Sequence, residues 1–207
     1  MTNELFFRAA FFALWIIFFA NVAWVGYSTK GSASKQTTRR AGRLRMAALG
    51  FAAVYFVGAL LYALPDLLTP LLIPLPDWFR IVMVGVAVLG VLFVSWGYWL
   101  LGKNWAPSVS GVRSDTVLVT SGLYGFVRHP IYLGAFIFLT ALALVASNFL
   151  ILLPTLLLLG LLYISIDEEE TMLLDRFGDK YREYMKRTPR FIPRVRHEHS
   201  QQRDSYP

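Results

Sequence analysis

Two blocks of polar residues in the C-terminal half of the chain combine side chains that can bind a charged ligand. The first, 121–134, contains Arg128 and His129 just before a long apolar run, and the acidic run 167–170 follows the next apolar run. Ionisable side chains at the edge of a membrane segment are costly unless they bind something. Because little more than Asn148 separates the two apolar runs, we predict a tight hairpin that brings both blocks to one membrane face.

The residue types at this face suit a ligand that carries both a cation and a carboxylate. The acids would match the cation, and Arg128 and His129 would match the carboxylate. Gly122 allows the backbone to approach a ligand closely, and Tyr124 and Tyr132 offer flat surfaces for a purine. S-adenosylmethionine has an ammonium, a carboxylate, an adenine and a reactive sulfonium, and therefore fits. A nucleotide with phosphates could use the same basic cluster, so these residues alone leave both ligands open.

Each of these features also has a purely structural interpretation. Arg128 can anchor a helix at the membrane interface, and Pro130 suits the first turn of a helix. The acids at 167–170 would complement the dipole of a helix that begins there. Their joint occurrence around one short hairpin favours a shared site.

The elements that position these residues are apolar helices. The 207-residue chain is 56% hydrophobic and only 16% charged, which does not suit a soluble globule of this size. A helix needs about 17–25 apolar residues to span a bilayer. Five stretches reach or approach that length, at 5–26, 46–64, 79–101, 131–147 and 149–166. We predict an all-α integral membrane protein with five transmembrane helices, the first of them retained rather than cleaved.

This pattern divides the chain into three parts. Residues 1–101 would form three N-terminal transmembrane helices, with Gly85, Gly90 and Gly97 permitting close contacts of the third. Residues 102–193 would form the cofactor-binding catalytic region, and 194–207 a polar tail. The catalytic region is predicted to contain a loop (102–128), the hairpin (131–166) and an amphipathic cytoplasmic helix (168–187), after which 190–193 folds back against the protein.

The distribution of basic residues predicts topology rather than nucleic-acid binding. All but two of the 20 Lys and Arg fall in the first loop, the third loop or the region after the last span. With five spans these regions share one side, which the positive-inside rule makes cytoplasmic. The N-terminus is then outside, and the C-terminus and the site are cytoplasmic. The absence of cysteine excludes disulfides and thiolate zinc sites, and two of only three histidines lie in the tail, so we predict no metal.

The motifs give a more specific indication. Thr120-Ser121-Gly122-Leu123-Tyr124-x-x-x-Arg128-His129-Pro130-x-Tyr132-x-Gly134, followed by Glu168-Glu169-Glu170 and Phe177-Gly178-x-x-Tyr181-x-x-Tyr184, resembles the isoprenylcysteine carboxyl methyltransferase family. The resemblance covers about 100–193, nearly half of the chain. Phospholipid N-methyltransferases and small-thiol methyltransferases share the same broad pattern.

The resemblance implies an integral membrane methyltransferase that uses S-adenosylmethionine on a lipophilic acceptor entering from the bilayer. Arg128 would bind a carboxylate, and Glu170 would face the acceptor and serve as a base for an amine or a thiol. The positions implied to contact the cofactor are Gly122, Tyr124, His129, Pro130, Tyr132, Leu133 and Glu169.

One position departs from the family pattern. Carboxyl methyltransferases of this family are expected to carry an arginine where this chain has Ser165. The acceptor therefore stays open between a prenylcysteine carboxylate, a phospholipid or amine nitrogen, and a small thiol. A more distant alternative is an NADPH-dependent sterol or lipid reductase, which also carries an Arg-His-Pro-x-Tyr element. The acidic run at 167–170 disfavours that class, and a non-catalytic scaffold would not explain the paired polar blocks.

Overall fold

A computed structural model describes residues 2–28, 39–64, 71–104 and 117–192. The predicted polar tail and residues 105–116 of the predicted loop 102–128 lie outside these ranges. Within them the chain is helical, and β-structure is confined to one antiparallel bridge between Leu72 and Asn148. The helices are α1 (Thr2–Ser28), α2 (Arg39–Tyr62), α3 (Asp77–Leu101), α4 (Leu123–Phe126), α5 (Pro130–Ala146), α6 (Phe149–Phe177) and α7 (Asp179–Arg187), with a short 3₁₀ turn at Gly102–Asn104.

The five predicted apolar stretches lie on α1, α2, α3, α5 and α6. Three of these helices, α1, α3 and α6, are long and apolar enough to cross a membrane. The apolar parts of the other two, Ala52–Tyr62 and Pro130–Ala146, are shorter. Large apolar side chains such as Ile16, Leu89 and Leu157 are exposed on the outer faces of the long helices. A surface of this kind is stable in lipid, so the chain is a multi-pass integral membrane protein.

The most extensive helix contact joins α3 to α5. A Cβ atom at Gly90 would lie 2.8 Å from the backbone nitrogen of Phe138, and one at Gly134 would lie 2.7 Å from a methyl of Val94. These distances are too short for any side chain larger than hydrogen. Small residues allow close backbone approach, which in lipid replaces the hydrophobic effect as the source of helix association.

Two of the three glycines expected to make close contacts in α3 do so. Gly97 faces Ile131 in the same way that Gly90 faces α5, whereas a Cβ atom at Gly85 would meet nothing within 4 Å. Gly90 and Gly97 are seven residues apart and therefore share one helix face. Gly85 lies on another face, away from α5.

A buried arginine joins helices at the end of the bundle where α3 begins. Arg80 is 2% exposed, donates to the Glu4 carboxylate of α1 and donates from Nε to the Val145 carbonyl at 3.0 Å. Its guanidinium carbon lies 3.8 Å from the centroid of the Phe7 ring. A buried charge is tolerated only with such partners, so this contact fixes α1 and the end of α5 around α3.

The predicted hairpin is present between α5 and α6. Ser147 adopts a positive φ of 52° that turns the chain, and its hydroxyl donates to the Ile73 carbonyl at 2.6 Å. The Asn148 side chain then caps α6 by accepting from the Leu150 N–H at 2.8 Å. This tight turn makes α5 and α6 antiparallel neighbours.

The end of α6 differs from the sequence prediction. The apolar part stops at 166, but the helix continues to Phe177, so the predicted helix 168–187 is divided between α6 and α7. Nothing in the run 167–170 breaks a helix, whereas Gly178 has a φ of 53°, a conformation that favours glycine. The acids therefore extend α6 beyond its apolar part and do not begin a new helix.

Candidate functional site

The candidate site lies where the start of α5 faces the last third of α6. Pro130 occupies the first turn of α5, where its missing N–H costs nothing, and His129 is the preceding cap residue. Because α5 and α6 run antiparallel from their turn, this end of α5 lies beside residues 167–170. The structure thus brings the basic and acidic blocks together at one end of the hairpin.

Glu170 is the centre of an ion cluster, and only 4% of the residue is exposed. Its Oε1 accepts from Arg128 Nε at 3.0 Å and Nη2 at 2.9 Å, and lies 3.0 Å from His129 Nε2. Its Oε2 accepts from Arg190 Nε at 3.1 Å and Nη2 at 2.5 Å. Arg190 Nη2 also pairs with Asp167 at 2.7 Å. We call these five residues the Glu170 cluster.

The cluster keeps Glu170 ionised. Burial alone would raise the pKa of this carboxyl, but hydrogen bonds from His129, Arg190 and Arg128 outweigh it and lower the pKa from 4.5 to about 2. A carboxylate with so low a pKa is a poor general base near neutral pH. The role of Glu170 as a base for the acceptor stays a prediction, and this environment favours a role in holding its neighbours.

The same contact assigns a proton to His129, which is 4% exposed. An ionised carboxylate can only accept a hydrogen bond, so the Nε2 atom facing Glu170 must carry a hydrogen. The imidazole also packs edge-on against the Tyr132 ring, with centroids 5.7 Å apart. These two contacts fix both the orientation of the ring and the nitrogen that donates.

Most of the side-chain N–H groups of Arg128 already donate to other groups of the protein. Beyond its two bonds to Glu170, its Nη1 donates to the carbonyls of Met185 at 3.2 Å and Thr188 at 2.5 Å. A guanidinium has five N–H donors, and four are used in these contacts. Among contacts with the described residues, one Nη2 hydrogen remains for the carboxylate that Arg128 is predicted to bind.

Glu169 faces a different neighbour from Glu170. Its Oε2 accepts from the Tyr132 hydroxyl at 2.8 Å, and both side chains are half-buried. A half-buried carboxylate beside a hydroxyl suits an ammonium or sulfonium group. Together with the remaining Arg128 hydrogen for a carboxylate, these residues fit the charged groups of S-adenosylmethionine.

Tyr124 packs inside the protein instead of presenting a flat face. Its hydroxyl points at the Gly97 carbonyl at 3.5 Å, and its own carbonyl accepts from the Tyr184 hydroxyl at 2.6 Å. Burial raises the pKa of both tyrosine hydroxyls, so they stay protonated. Tyr124 therefore ties α4 to α3 and α7, and a direct contact with the cofactor stays a prediction.

The remaining predicted residues lie around the start of α4 and α5. Gly122 is exposed with a φ of 61°, and a Cβ atom there would approach the Leu100 side chain at 3.0 Å. Pro130 is buried, and Leu133 is half-buried one turn after His129, whose carbonyl accepts its N–H at 3.0 Å. These residues shape the backbone near the cluster.

From the sequence, Asp167 was included only as a member of the acidic run 167–170, and Arg190 was assigned no role in the site. Arg190 was expected only to fold back with its neighbours, and the structure describes that segment through residue 192. A cation placed just after the helix end at Thr188 and Pro189 was the available signal. Its partner could not be chosen from the sequence, because several acids were equally near in the chain.

No group of three His, Asp or Glu side chains within the described ranges is placed to hold a metal ion. The expectation that the protein needs no metal stays a prediction.

Comparison with known proteins gives consistent results. Residues 83–175 match the model of the isoprenylcysteine carboxyl methyltransferase (ICMT) family. A protein-S-isoprenylcysteine O-methyltransferase of Schizosaccharomyces pombe is 38% identical over 96 residues, which are 45% of this chain and 41% of that protein. Methanethiol S-methyltransferase 1 of Bradyrhizobium diazoefficiens is 42% identical over 95 residues, or 45% of this chain and 30% of that protein. The chain thus spans less than half the length of these relatives.

The fold has a solved counterpart. The structure of the eukaryotic intramembrane Ras methyltransferase ICMT superposes with a TM-score of 0.51 at 26% identity, covering 75% of this chain and 54% of the other. The matched segment 83–175 contains the α5–α6 hairpin and four of the five residues of the Glu170 cluster. Through this segment, the chain is similar to the isoprenylcysteine carboxyl methyltransferase family.

Proposed function

We propose that this protein is a membrane methyltransferase that uses S-adenosylmethionine and acts on a lipophilic acceptor, in the manner of protein-S-isoprenylcysteine O-methyltransferases. The observation that carries the proposal is the meeting of Arg128 and His129 with Glu169 and Glu170 at one end of an apolar hairpin. A membrane protein keeps such a concentration of charge where it binds or transforms something. The match of the same segment to the isoprenylcysteine carboxyl methyltransferase family supports methyl transfer as that chemistry.

When bound, S-adenosylmethionine supplies a methyl group on a positively charged sulfur. The chain's contribution is to hold the donor and the acceptor in line, because positioning and exclusion of water lower the barrier of such a transfer. Glu169 and Tyr132 would bind the cationic part of the cofactor, and His129 would be held in one orientation by Glu170. Arg128 would contribute its one remaining N–H to a carboxylate.

The acceptor decides whether a base is needed. A prenylcysteine carboxylate is already ionised near neutral pH and needs none. An amine or a thiol must lose a proton, and the low pKa of Glu170 makes that carboxylate a weak candidate for the task. The site therefore suits an acceptor that is already ionised better than one that must first lose a proton.

One observation favours a small thiol as a second candidate. The hydroxyl of Ser165 donates to the Leu161 carbonyl at 2.8 Å, so this position offers no cation to an acceptor carboxylate. Arg128 and Arg190, the arginines of the Glu170 cluster, are already engaged with Glu170. The named activity of the Bradyrhizobium relative shows that a thiol is an acceptor for one similar protein.

We also infer five transmembrane helices, an outside N-terminus and a cytoplasmic site. The bundle supports this arrangement through its five apolar helices and the basic residues beyond the site end of α6. With the site at the end of the hairpin, a lipophilic acceptor would reach it from the bilayer between helices.

The first test is calorimetric titration of the detergent-purified protein with S-adenosylhomocysteine, with NADPH in parallel. We expect saturable binding of S-adenosylhomocysteine only. Binding of NADPH alone would refute the proposal and would indicate that the protein is a reductase.

A second experiment identifies the acceptor. The protein is supplied with S-adenosylmethionine labelled on its methyl group and with a farnesylated cysteine, an alkyl thiol or phosphatidylethanolamine. Base-labile product from the farnesylated cysteine would support carboxyl methylation. Product from the thiol alone would favour the second candidate, and product from phosphatidylethanolamine alone would indicate N-methylation.

A further inference from the structure

The segment after α7, Thr188–Ile192, returns to the hairpin and pairs with the start of α5. The Arg128 N–H donates to the Pro189 carbonyl at 2.8 Å, and the His129 N–H donates to the Arg190 carbonyl at 3.3 Å. Both N–H groups precede α5, so no helical carbonyl is available to them. The segment therefore determines the backbone position of two residues of the Glu170 cluster.

The Arg190 side chain joins two carboxylates on one face of α6. It pairs with Asp167 at 2.7 Å and with Glu170 Oε2 at 2.5 Å. The other oxygen of Glu170, Oε1, faces Arg128 and His129. Because Arg190 holds Oε2, rotation of the carboxylate away from His129 would break a charge-assisted hydrogen bond.

Phe191 gives the segment a second contact with the hairpin, which is aromatic where that of Arg190 is ionic. The ring of Phe191 lies 5.4 Å from that of Phe136 on α5 and 6.5 Å from those of Tyr163 on α6 and His129. Arg190 and Phe191 thus fill the same groove between α5 and α6, the first at its charged end and the second at its aromatic end.

We propose that Arg190 is a positioning residue of the site: it fixes the Glu170 carboxylate that orients His129 and Arg128. This inference rests on the proposed function. Arg190 lies beyond residue 175, where the family match ends. A residue outside the matched segment therefore helps to position Glu170 within it. The main effect of Arg190 falls on cofactor affinity, because His129 and the neighbouring Glu169 are the residues assigned to the cofactor.

The test compares Arg190→Ala and Arg190→Lys with the wild type in the full-length protein. Arg182→Ala is the matched control, since Arg182 also forms an ion pair with an aspartate but is exposed on α7. Loss of a hydrogen bond to a charged group predicts a roughly ten-fold to hundred-fold weaker affinity for S-adenosylhomocysteine in Arg190→Ala. The KM for S-adenosylmethionine should rise by a similar factor with a smaller change in kcat. Lysine should restore part of the affinity, and the control should match the wild type.

A second readout does not depend on activity. Replacing the other two histidines, His197 and His199, leaves His129 as the only one, so its Nε2–H proton can be followed by NMR. We expect a slowly exchanging resonance in the wild type that exchanges faster in Arg190→Ala. Unchanged exchange together with unchanged affinity would overturn the positioning role. A wild type that binds no S-adenosylhomocysteine, with the resonance still sensitive to Arg190, would instead count against the proposed function alone.

Discussion

Replacing Glu170 by glutamine tests the physical basis of the site most directly. Glutamine has nearly the same shape but no charge, so the variant resembles the protein with Glu170 protonated. The amide can accept a hydrogen bond at one position only, and its NH2 group faces donors from Arg190 or from Arg128 and His129. We expect a folded but less stable protein that binds cofactor more weakly.

The size of the stability effect follows from the environment of the carboxyl. Its pKa falls from 4.5 to about 2 in the folded protein. Each pKa unit corresponds to about 1.4 kcal/mol, so the charged form is favoured over the neutral one by roughly 3 kcal/mol. For a chain of this length, roughly 2–4 °C of melting temperature per kcal/mol gives a decrease of roughly 6–12 °C.

The assay is thermal unfolding followed by tryptophan fluorescence in a mild detergent. Glu183→Gln, an exposed position on α7, is the control for removing one negative charge. Because the folded pKa of Glu170 lies below its ordinary value, its contribution is complete above about pH 4.5 and is lost as the pH falls toward 2. The difference between the wild type and Glu170→Gln should therefore shrink on acidification.

Two results would refute this reasoning. Equal melting temperatures of the variant and the wild type near pH 7 would mean that the carboxylate is not stabilised by its three neighbours. A difference that stays constant from neutral pH to below pH 4.5 would mean that loss of shape, and not loss of charge, causes the effect.

Three further changes test the fold and its orientation. Gly134→Leu should prevent close packing of α3 on α5 and lower the yield of folded protein. Gly85→Leu should be tolerated, because a Cβ atom there meets nothing within 4 Å. Size-exclusion chromatography in detergent compares the two variants. Arg80→Met leaves the Val145 carbonyl without its side-chain donor and should destabilise the protein by roughly 1–3 kcal/mol, measured by thermal unfolding. Because the chain has no cysteine, single-cysteine variants report topology: an impermeant maleimide should label Ala63→Cys in intact cells and label Glu183→Cys only after lysis.

The pairing of the two polar blocks could be predicted because it depends on short-range features. Asn148 lies between two apolar runs, and an antiparallel hairpin must bring the residues before the first run next to those after the second. In the structure the two blocks do meet, with His129 beside Glu170 and Tyr132 beside Glu169.

Two other features could not be predicted from the sequence. The continuation of α6 to Phe177 was missed because a change from apolar to charged residues resembles a helix boundary, although only Gly178 breaks the helix. The ion pair of the buried Arg80 with Glu4 joins residues far apart in the chain. Nothing local distinguishes such a pair from two charges at the membrane interface.

Composition, periodicity and motifs were enough to predict the helical membrane class, the hairpin, the location of the polar blocks and the resemblance to a methyltransferase family. The way the charges are shared depends on packing between segments. That packing gave both oxygens of Glu170 to Arg128, His129 and Arg190 and left Glu169 with Tyr132. Hydrogen-bond partners are set by distances of a few tenths of an ångström between side chains from separate segments, and such distances exist only once those segments have packed.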